Sequence, residues 1–184
     1  MNTKPSILFV GNLVDVKAPE RAIAAFAVFA EWYPQAVLDI VGDGPLRNQL
    51  AHQTERLGLT NRITFHGRQA PERVADMMRR AACLLLTSRS EGMPNVVIEC
   101  LACGTPVVAN AVGEAPFLIK SGINGYSIAV GKQIPADEAV LVESLADGLK
   151  KVVAQSWDAV NIAKTVNNFT WAEAARIVAE TILM

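Results

Sequence analysis

Short apolar runs alternate along the chain with longer stretches of helical periodicity. Ile7-Leu-Phe-Val-Gly11 is an unbroken apolar run closed by glycine, and it predicts a buried strand. Pro19 to Tyr33 carries apolar residues at helical spacing, with Pro19 suited to a first turn. Val37 to Val41 predicts a second strand, ended by Gly42-Asp-Gly-Pro. Leu46 to Leu57 reads as a helix with a polar face, closed by Gly58. A third strand over Ile63–Phe65 precedes a helix over Pro71–Arg80, and a fourth over Cys83–Thr87 precedes a helix over Pro94–Cys103. Val107–Ala109 predicts a fifth strand and Gly125–Ile128 a short sixth. From about residue 136 to 184 the pattern is helical.

Strands alternating with helices predict an α/β fold: a Rossmann-like, doubly wound parallel sheet of about six strands with helices on both faces. The strands are apolar throughout rather than alternating, as strands covered on both sides must be. Ligands of such sheets sit beyond the carboxyl ends of the strands. The loops Gly11–Lys17, Gly42–Pro45, Gly67–Pro71, Ser88–Asn95 and Asn110–Pro116 all follow strands and are expected to converge on one edge.

The 184 residues are most simply one domain, and 51% apolar against 19% charged residues fits a compact core. A net charge of −1 without a basic run argues against nucleic acid as a partner. No apolar run resembles a signal peptide or approaches a membrane span. Cys83, Cys100 and Cys103 all lie in apolar segments and read as reduced core thiols of a cytoplasmic protein.

Two segments carry candidate chemistry. Gly11-Asn-Leu-Val-Asp-Val-Lys17 follows the first strand: glycine admits a ligand close to the backbone, and a lysine near a helix start holds phosphate as a point charge. A solvated lysine on a surface loop is the plainer alternative. Glu91-Gly-Met-Pro-Asn-Val-Val-Ile-Glu99 places two carboxylates around a helix start. Pro94 there is expected to leave the amides of Asn95, Val96 and Val97 free for an anion. A glycosidase pair needs its carboxyls about 5–9.5 Å apart. Eight residues at helical rise span roughly 12 Å, which disfavours that reading. Holding hydroxyls needs no such closeness, and acidic side chains do so on ribose. The plain alternative makes Glu91 a helix-dipole partner and Glu99 a helix surface residue. Gly42-Asp-Gly44 lacks the third glycine of a dinucleotide fingerprint, and no phosphate loop ending in Gly-Lys-Ser/Thr occurs. Cys100 and Cys103 fall inside a helix, away from the start where a thiolate is stabilised. His66 ends a strand and reads as structural more than ligating.

Taken in order, these residues resemble the C-terminal, nucleotide-sugar-binding half of retaining GT-B glycosyltransferases, the group called family 4 or glycosyl transferases group 1. The resemblance runs through Val10-Gly-Asn-Leu and Lys17, Val41-Gly-Asp-Gly-Pro-Leu46, and Phe65-His-Gly67. It continues through Ser88 to Glu99, Ala102-Cys-Gly-Thr-Pro-Val-Val-Ala109, Asn124-Gly-Tyr126 and Phe169-Thr-Trp171, which opens a last helix. Glu-x7-Glu followed by Gly-Thr-Pro-Val-Val is the specific part.

The resemblance implies that Lys17 and Glu91 are catalytic: Lys17 neutralises the leaving diphosphate and Glu91 holds donor-sugar hydroxyls, aided by the backbone of Gly92, Met93 and Pro94. Asn95 and Val96 amides would hold the diphosphate, Glu99 the ribose hydroxyls, Gly67 and Arg68 the base, with Gly11 and Asn12 beside the diphosphate. It implies a nucleotide-diphosphate sugar (UDP-, GDP- or ADP-linked) as substrate, no tightly bound cofactor and no metal. It further implies an acceptor-binding N-terminal half outside these residues, through which peripheral membrane contact would be made, and an isolated chain without transferase activity. The same fold leaves open a non-catalytic nucleotide- or sugar-binding module, or half of a sugar-nucleotide epimerase. The chain departs from the resembled pattern at Asn12, often Arg, at Ala18, often Gly, and at Glu114 and Pro116-Phe117 after Gly113.

Overall fold

The computed structural model describes residues 4–129 and 137–169, and in it six strands form one sheet. They are β1 (Ser6–Val10), β2 (Val37–Val41), β3 (Ile63–Gly67), β4 (Cys83–Leu86), β5 (Val107–Asn110) and β6 (Gly125–Ile128). Their order is β3-β2-β1-β4-β5-β6, and each neighbouring pair is parallel. The helices are α1 (Pro19–Trp32), α2 (Arg47–Arg56), α3 (Pro71–Arg80), α4 (Asn95–Ala102), α5 (Ala115–Leu118), α6 (Glu138–Ala154) and α7 (Ala159–Lys164). This is the doubly wound, Rossmann-like sheet that the pattern predicted. The helix expected to open at Phe169-Thr-Trp171 and run to residue 184 lies outside the described residues from position 170 onward.

Successive side chains of a strand point to opposite faces, and here both faces are apolar. Ile7 and Phe9 of β1, Leu38 and Ile40 of β2, and Leu85 of β4 pack with Phe26 and Phe29 of α1, Leu50 of α2 and Leu145 of α6. Leu8, Val41, Leu84 and Leu86 face the other way, onto Met78 of α3, Val97 and Leu101 of α4 and Ile162 of α7. Burial on both sides is why the strand runs are unbroken. Arg21 and Glu138 form an ion pair that ties α1 to α6, and the guanidinium lowers the Glu138 carboxyl pKa. A depressed carboxylate pKa adds stability above its unfolded value and loses it as pH falls through the folded one. Among the described residues, no helix is long and apolar enough to cross a membrane.

Two short elements stand where loops were expected: a 3-10 turn at Asp15–Lys17 and the four-residue α5. Neither is long enough to show a helical period. β3 runs to Gly67 rather than Phe65, past a register shift that pairs Ile40 with Phe65 but Val41 with Gly67. His66 is the extra residue of this bulge, and its Nε2 lies 2.7 Å from Asp39 Oδ1. Ser6 Oγ donates to Asp39 Oδ2 at 2.7 Å, so His66 belongs to a structural cluster on the sheet face.

Cys83 and Cys100 are buried as expected, and burial raises both thiol pKa values far above the ordinary range. Cys103, expected in the core, is only half-buried because it caps the exposed end of α4. A thiol reagent at pH 8 is therefore expected to titrate Cys103 alone in the folded protein and all three cysteines in denaturant. Rapid modification of Cys83 or Cys100 without denaturant would contradict this packing.

Candidate functional site

The chain leaves β1 in one direction, builds β2 and β3, then crosses back to place β4 on the other side of β1. Loops on either side of such a switch point diverge and open a crevice. Here the β1 loop (residues 11–18) and the β4 loop (residues 87–94) border it.

All five strand-end loops meet there, as expected, and main-chain hydrogen bonds join each to the next across the sheet. Gly42 N–H donates to the Gly67 carbonyl at 2.9 Å, and Gly11 and Leu13 N–H donate to Val41 and Asp43 at 2.9 and 3.0 Å. Arg89 N–H donates to Val16 at 2.8 Å, and Glu114 N–H donates to Gly92 at 3.0 Å. This packing accounts for two glycines that resembled part of a nucleotide fingerprint. A Cβ on Gly42 would lie 1.9 Å from the Gly11 carbonyl oxygen, and one on Gly44 would lie 2.5 Å from that of Leu13. Both are needed for loop-to-loop contact.

Lys17 and Glu91 stand 74 residues apart and meet in the crevice. Lys17 Nζ donates to Glu91 Oε1 at 2.6 Å, and Ser88 Oγ donates to the same oxygen at 2.5 Å. The Glu91 side chain is 8% exposed and that of Lys17 is 30% exposed, so the lysine forms the wetter side of the pair. Among the described residues, Glu91 Oε2 accepts no side-chain hydrogen bond.

Beside this pair α4 begins, with buried Pro94 as its N-cap residue. The expectation of three free amides is corrected to two. Val97 N–H donates to the Pro94 carbonyl at 2.9 Å, closing the first turn. The amides of Asn95 and Val96 have no acceptor among the described residues and open toward the loop edge. Gly92, Met93 and Asn95 are exposed and Val96 is half-buried. Glu99 lies past the first turn of α4, exposed and unpaired among the described residues. Gly67 has φ +67° and turns the chain so that Arg68 is exposed at the same edge. Gly11 is half-buried and Asn12 exposed. The structure brings Lys17 and Glu91 into side-chain contact and sets the Lys17 stem beside Gly11; among the described residues, the other sequence-predicted site residues make no side-chain hydrogen bond or ion pair with these two. Among the described residues, no group of three or more His, Cys, Asp or Glu side chains is placed to hold a metal ion.

Four further residues shape the crevice without having stood out in the sequence. Thr87 and Ser88 are consecutive, buried, and aim their hydroxyls at opposite partners. Thr87 Oγ1 reaches the carbonyls of Lys17 and Ala18, and Ser88 Oγ reaches Glu91. Asn110, at the end of β5, donates from Nδ2 to the Ser88 carbonyl at 2.6 Å, while its buried Oδ1 has no partner. Gly113 adopts φ +52°, and a Cβ there would lie 2.2 Å from the Glu91 carbonyl oxygen and 2.6 Å from that of Gly92. The β5 loop therefore supports the Glu91 backbone from beneath. Arg89 braces the same loop by donating to Glu20 Oε1 at 2.6 Å.

Gly122 provides a control for Gly113, because it has φ +78° with nothing within 4 Å of where a Cβ would stand. Gly122→Ala should cost about 1–2 kcal/mol, the penalty of a left-handed alanine. Gly113→Ala should cost at least about 1 kcal/mol more in denaturant unfolding, because the clash with Glu91 is added. Equal losses would show that the two loops do not bear on each other.

Known proteins share both the sequence pattern and this architecture. The family model described as glycosyl transferases group 1 matches residues 1–165. A D-inositol 3-phosphate glycosyltransferase of Corynebacterium kroppenstedtii is 33% identical over 177 residues, covering 92% of this chain and 38% of that relative. The chain therefore spans about two fifths of the length of this curated relative. The pneumococcal O-GlcNAc transferase GtfA, solved in complex with UDP and GlcNAc, superposes with a TM-score of 0.83 at 19% identity, over 96% of this chain and 35% of its own. Anabaena Alr3699/HepE, solved in complex with UDP-glucose, superposes with a TM-score of 0.63 at 26% identity, over 91% of this chain and 48% of its own.

Proposed function

The chain belongs to the glycosyl transferases group 1 family, and from that premise we propose that it is the donor-binding half of a retaining, family 4, GT-B enzyme. In this reading residues 1–184 form one domain, and the enzyme transfers a sugar from a nucleotide-diphosphate sugar to an acceptor hydroxyl. The observation that carries the proposal is the meeting of Lys17 and Glu91 at 2.6 Å beside the free amides that open α4.

The chemistry asks for those groups. As the bond between the anomeric carbon and the diphosphate oxygen breaks, negative charge grows on the leaving diphosphate. A lysine and two helix-terminal amides held beside it stabilise that charge more than they stabilise the bound donor. Lys17 leaves Glu91 for the diphosphate, which its 30% exposure permits. Glu91, still held by Ser88, then takes hydroxyls of the donor sugar, its unpaired Oε2 being open to a second one. Gly92, Met93 and Pro94 line the same path to the sugar. Asn95 and Val96 amides hold the diphosphate, with Gly11 and Asn12 on its other side. Glu99 takes the ribose hydroxyls, and Gly67 with Arg68 borders the base. No step in this sequence calls for a metal or a resident cofactor. The acceptor is held by a second domain beyond these residues, so transfer by the isolated chain is expected to be negligible.

Calorimetric titration with UDP, GDP, ADP and their sugars tests this reading. One base series should bind, with the nucleotide sugar favoured over the bare nucleoside diphosphate. Lys17→Met removes one charge-assisted contact of about 1.5–3 kcal/mol and should weaken diphosphate binding about 10- to 100-fold. The corresponding nucleoside should bind unchanged. Glu91→Ala should erase the preference for the sugar-bearing form. Failure of all three diphosphates to bind at millimolar concentration would overturn the assignment.

A further inference from the structure

Ala18 is the one non-glycine residue with positive φ among the described residues, at φ 45° and ψ 52°. Left-handed backbone costs an alanine about 1–2 kcal/mol and persists only where its surroundings enforce it. Ala18 is fully buried and directly follows the lysine of the crevice. The enforcing contact is visible. Thr87 Oγ1 lies 2.9 Å from the Ala18 carbonyl oxygen and 3.2 Å from that of Lys17, and Thr87 is itself fully buried.

A helical turn of either hand brings two consecutive carbonyls side by side, and here the left-handed Ala18 presents its own carbonyl and that of Lys17 to the Thr87 hydroxyl. The hydroxyl contact and the left-handed conformation of Ala18 occur together at this one turn. Ala18 N–H closes the turn onto the Asp15 carbonyl at 3.0 Å, and the Ala18 carbonyl also accepts from Arg21 N–H at 3.0 Å at the start of α1. The backbone of Lys17 is thus fixed at both ends of the 3-10 turn. Its aliphatic stem lies against Gly11, where a Cβ would stand 3.8 Å from Lys17 Cγ. The backbone sets the point from which the flexible Lys17 stem reaches across the crevice, and Gly11 beside the stem and Glu91 at its tip limit the path it takes.

Resting on the donor-site reading above, we propose that Thr87 is a positioning residue. Its buried hydroxyl holds the Lys17 and Ala18 carbonyls, keeps Ala18 left-handed, and so aims the Lys17 ammonium at the diphosphate. Thr87 touches no substrate in this role. Thr87→Val keeps the shape and removes the donor, leaving the buried Ala18 carbonyl and the half-buried Lys17 carbonyl without it. The Lys17 backbone then relaxes, and the diphosphate contact weakens while contacts to the nucleoside do not.

Calorimetric titration with UDP, GDP and ADP, each beside its own nucleoside, reads this directly. Thr87→Val should lower diphosphate affinity at least fivefold and leave nucleoside affinity unchanged. Thr87→Ser, which restores the hydroxyl, should bind diphosphate within about twofold of the unmodified chain. If Thr87→Val does not fold, Thr87→Cys, with a weak donor near the size of serine, supplies the comparison with Thr87→Ser. Undiminished diphosphate binding in the variant without a hydroxyl overturns this proposal alone. Equal losses of diphosphate and nucleoside affinity overturn it too, since they mark general damage. No diphosphate binding by the unmodified chain overturns the donor-site reading and this proposal with it.

Discussion

A carboxylate with only 8% of its side chain exposed must keep hydrogen-bond partners, and the crevice is arranged around that demand at Glu91. An uncompensated charge at such depth costs on the order of several kcal/mol. Lys17 and Ser88 meet it together on one oxygen. Lys17 arrives from the β1 loop only because β1 and β4 are neighbours, and they are neighbours because the order of strand addition reverses at β1 while all strands stay parallel. The electrostatic requirement and the topology are therefore linked. Any strand order that separated β1 from β4 would leave Glu91 without its cation.

The fold was largely legible in the sequence. Unbroken apolar runs separated by helical periods specify a covered parallel sheet, and β2, β6 and α3 begin and end where the pattern placed them. The pair Lys17 and Glu91 was legible as two separate candidates, each beside a glycine and a helix start. Thr87, Ser88, Asn110 and Gly113 were not. Their roles are contacts between loops that are distant in sequence, and a hydroxyl at a strand end looks the same whether or not a carbonyl waits across the sheet. Ala18 shows the same limit. Its identity reports a helix-compatible residue, whereas its left-handed backbone and its contact with the Thr87 hydroxyl 69 residues away are visible only in the fold. The third amide expected at α4 was lost for a local reason, because the first turn closes onto the Pro94 carbonyl.

The two sides of the crevice divide the labour between them. The β4 side is closely held: Thr87 and Ser88 are fully buried, Asn110 donates to the Ser88 carbonyl, and the backbone of Gly113 packs directly against that of Glu91 and Gly92. The β1 side carries the longer, wetter lysine, whose backbone is fixed but whose ammonium can exchange partners. A fixed carboxylate opposite a movable cation suits a ligand with a charged end and a hydroxylated end.

Main-chain hydrogen bonds that run from the β3 loop to the β5 loop have one more consequence. Amide and carbonyl groups are the same in every residue but proline, so outside the prolines this band does not depend on which side chains hang from it. Only a few positions, such as Gly42 and Gly113, are tied to one residue type by contact. Rim positions whose side chains take no part in the contacts of Lys17, Thr87, Ser88, Glu91 and Asn110 are outside that constraint, so a side chain exchanged there alters what the edge presents without the scaffold having to be rebuilt.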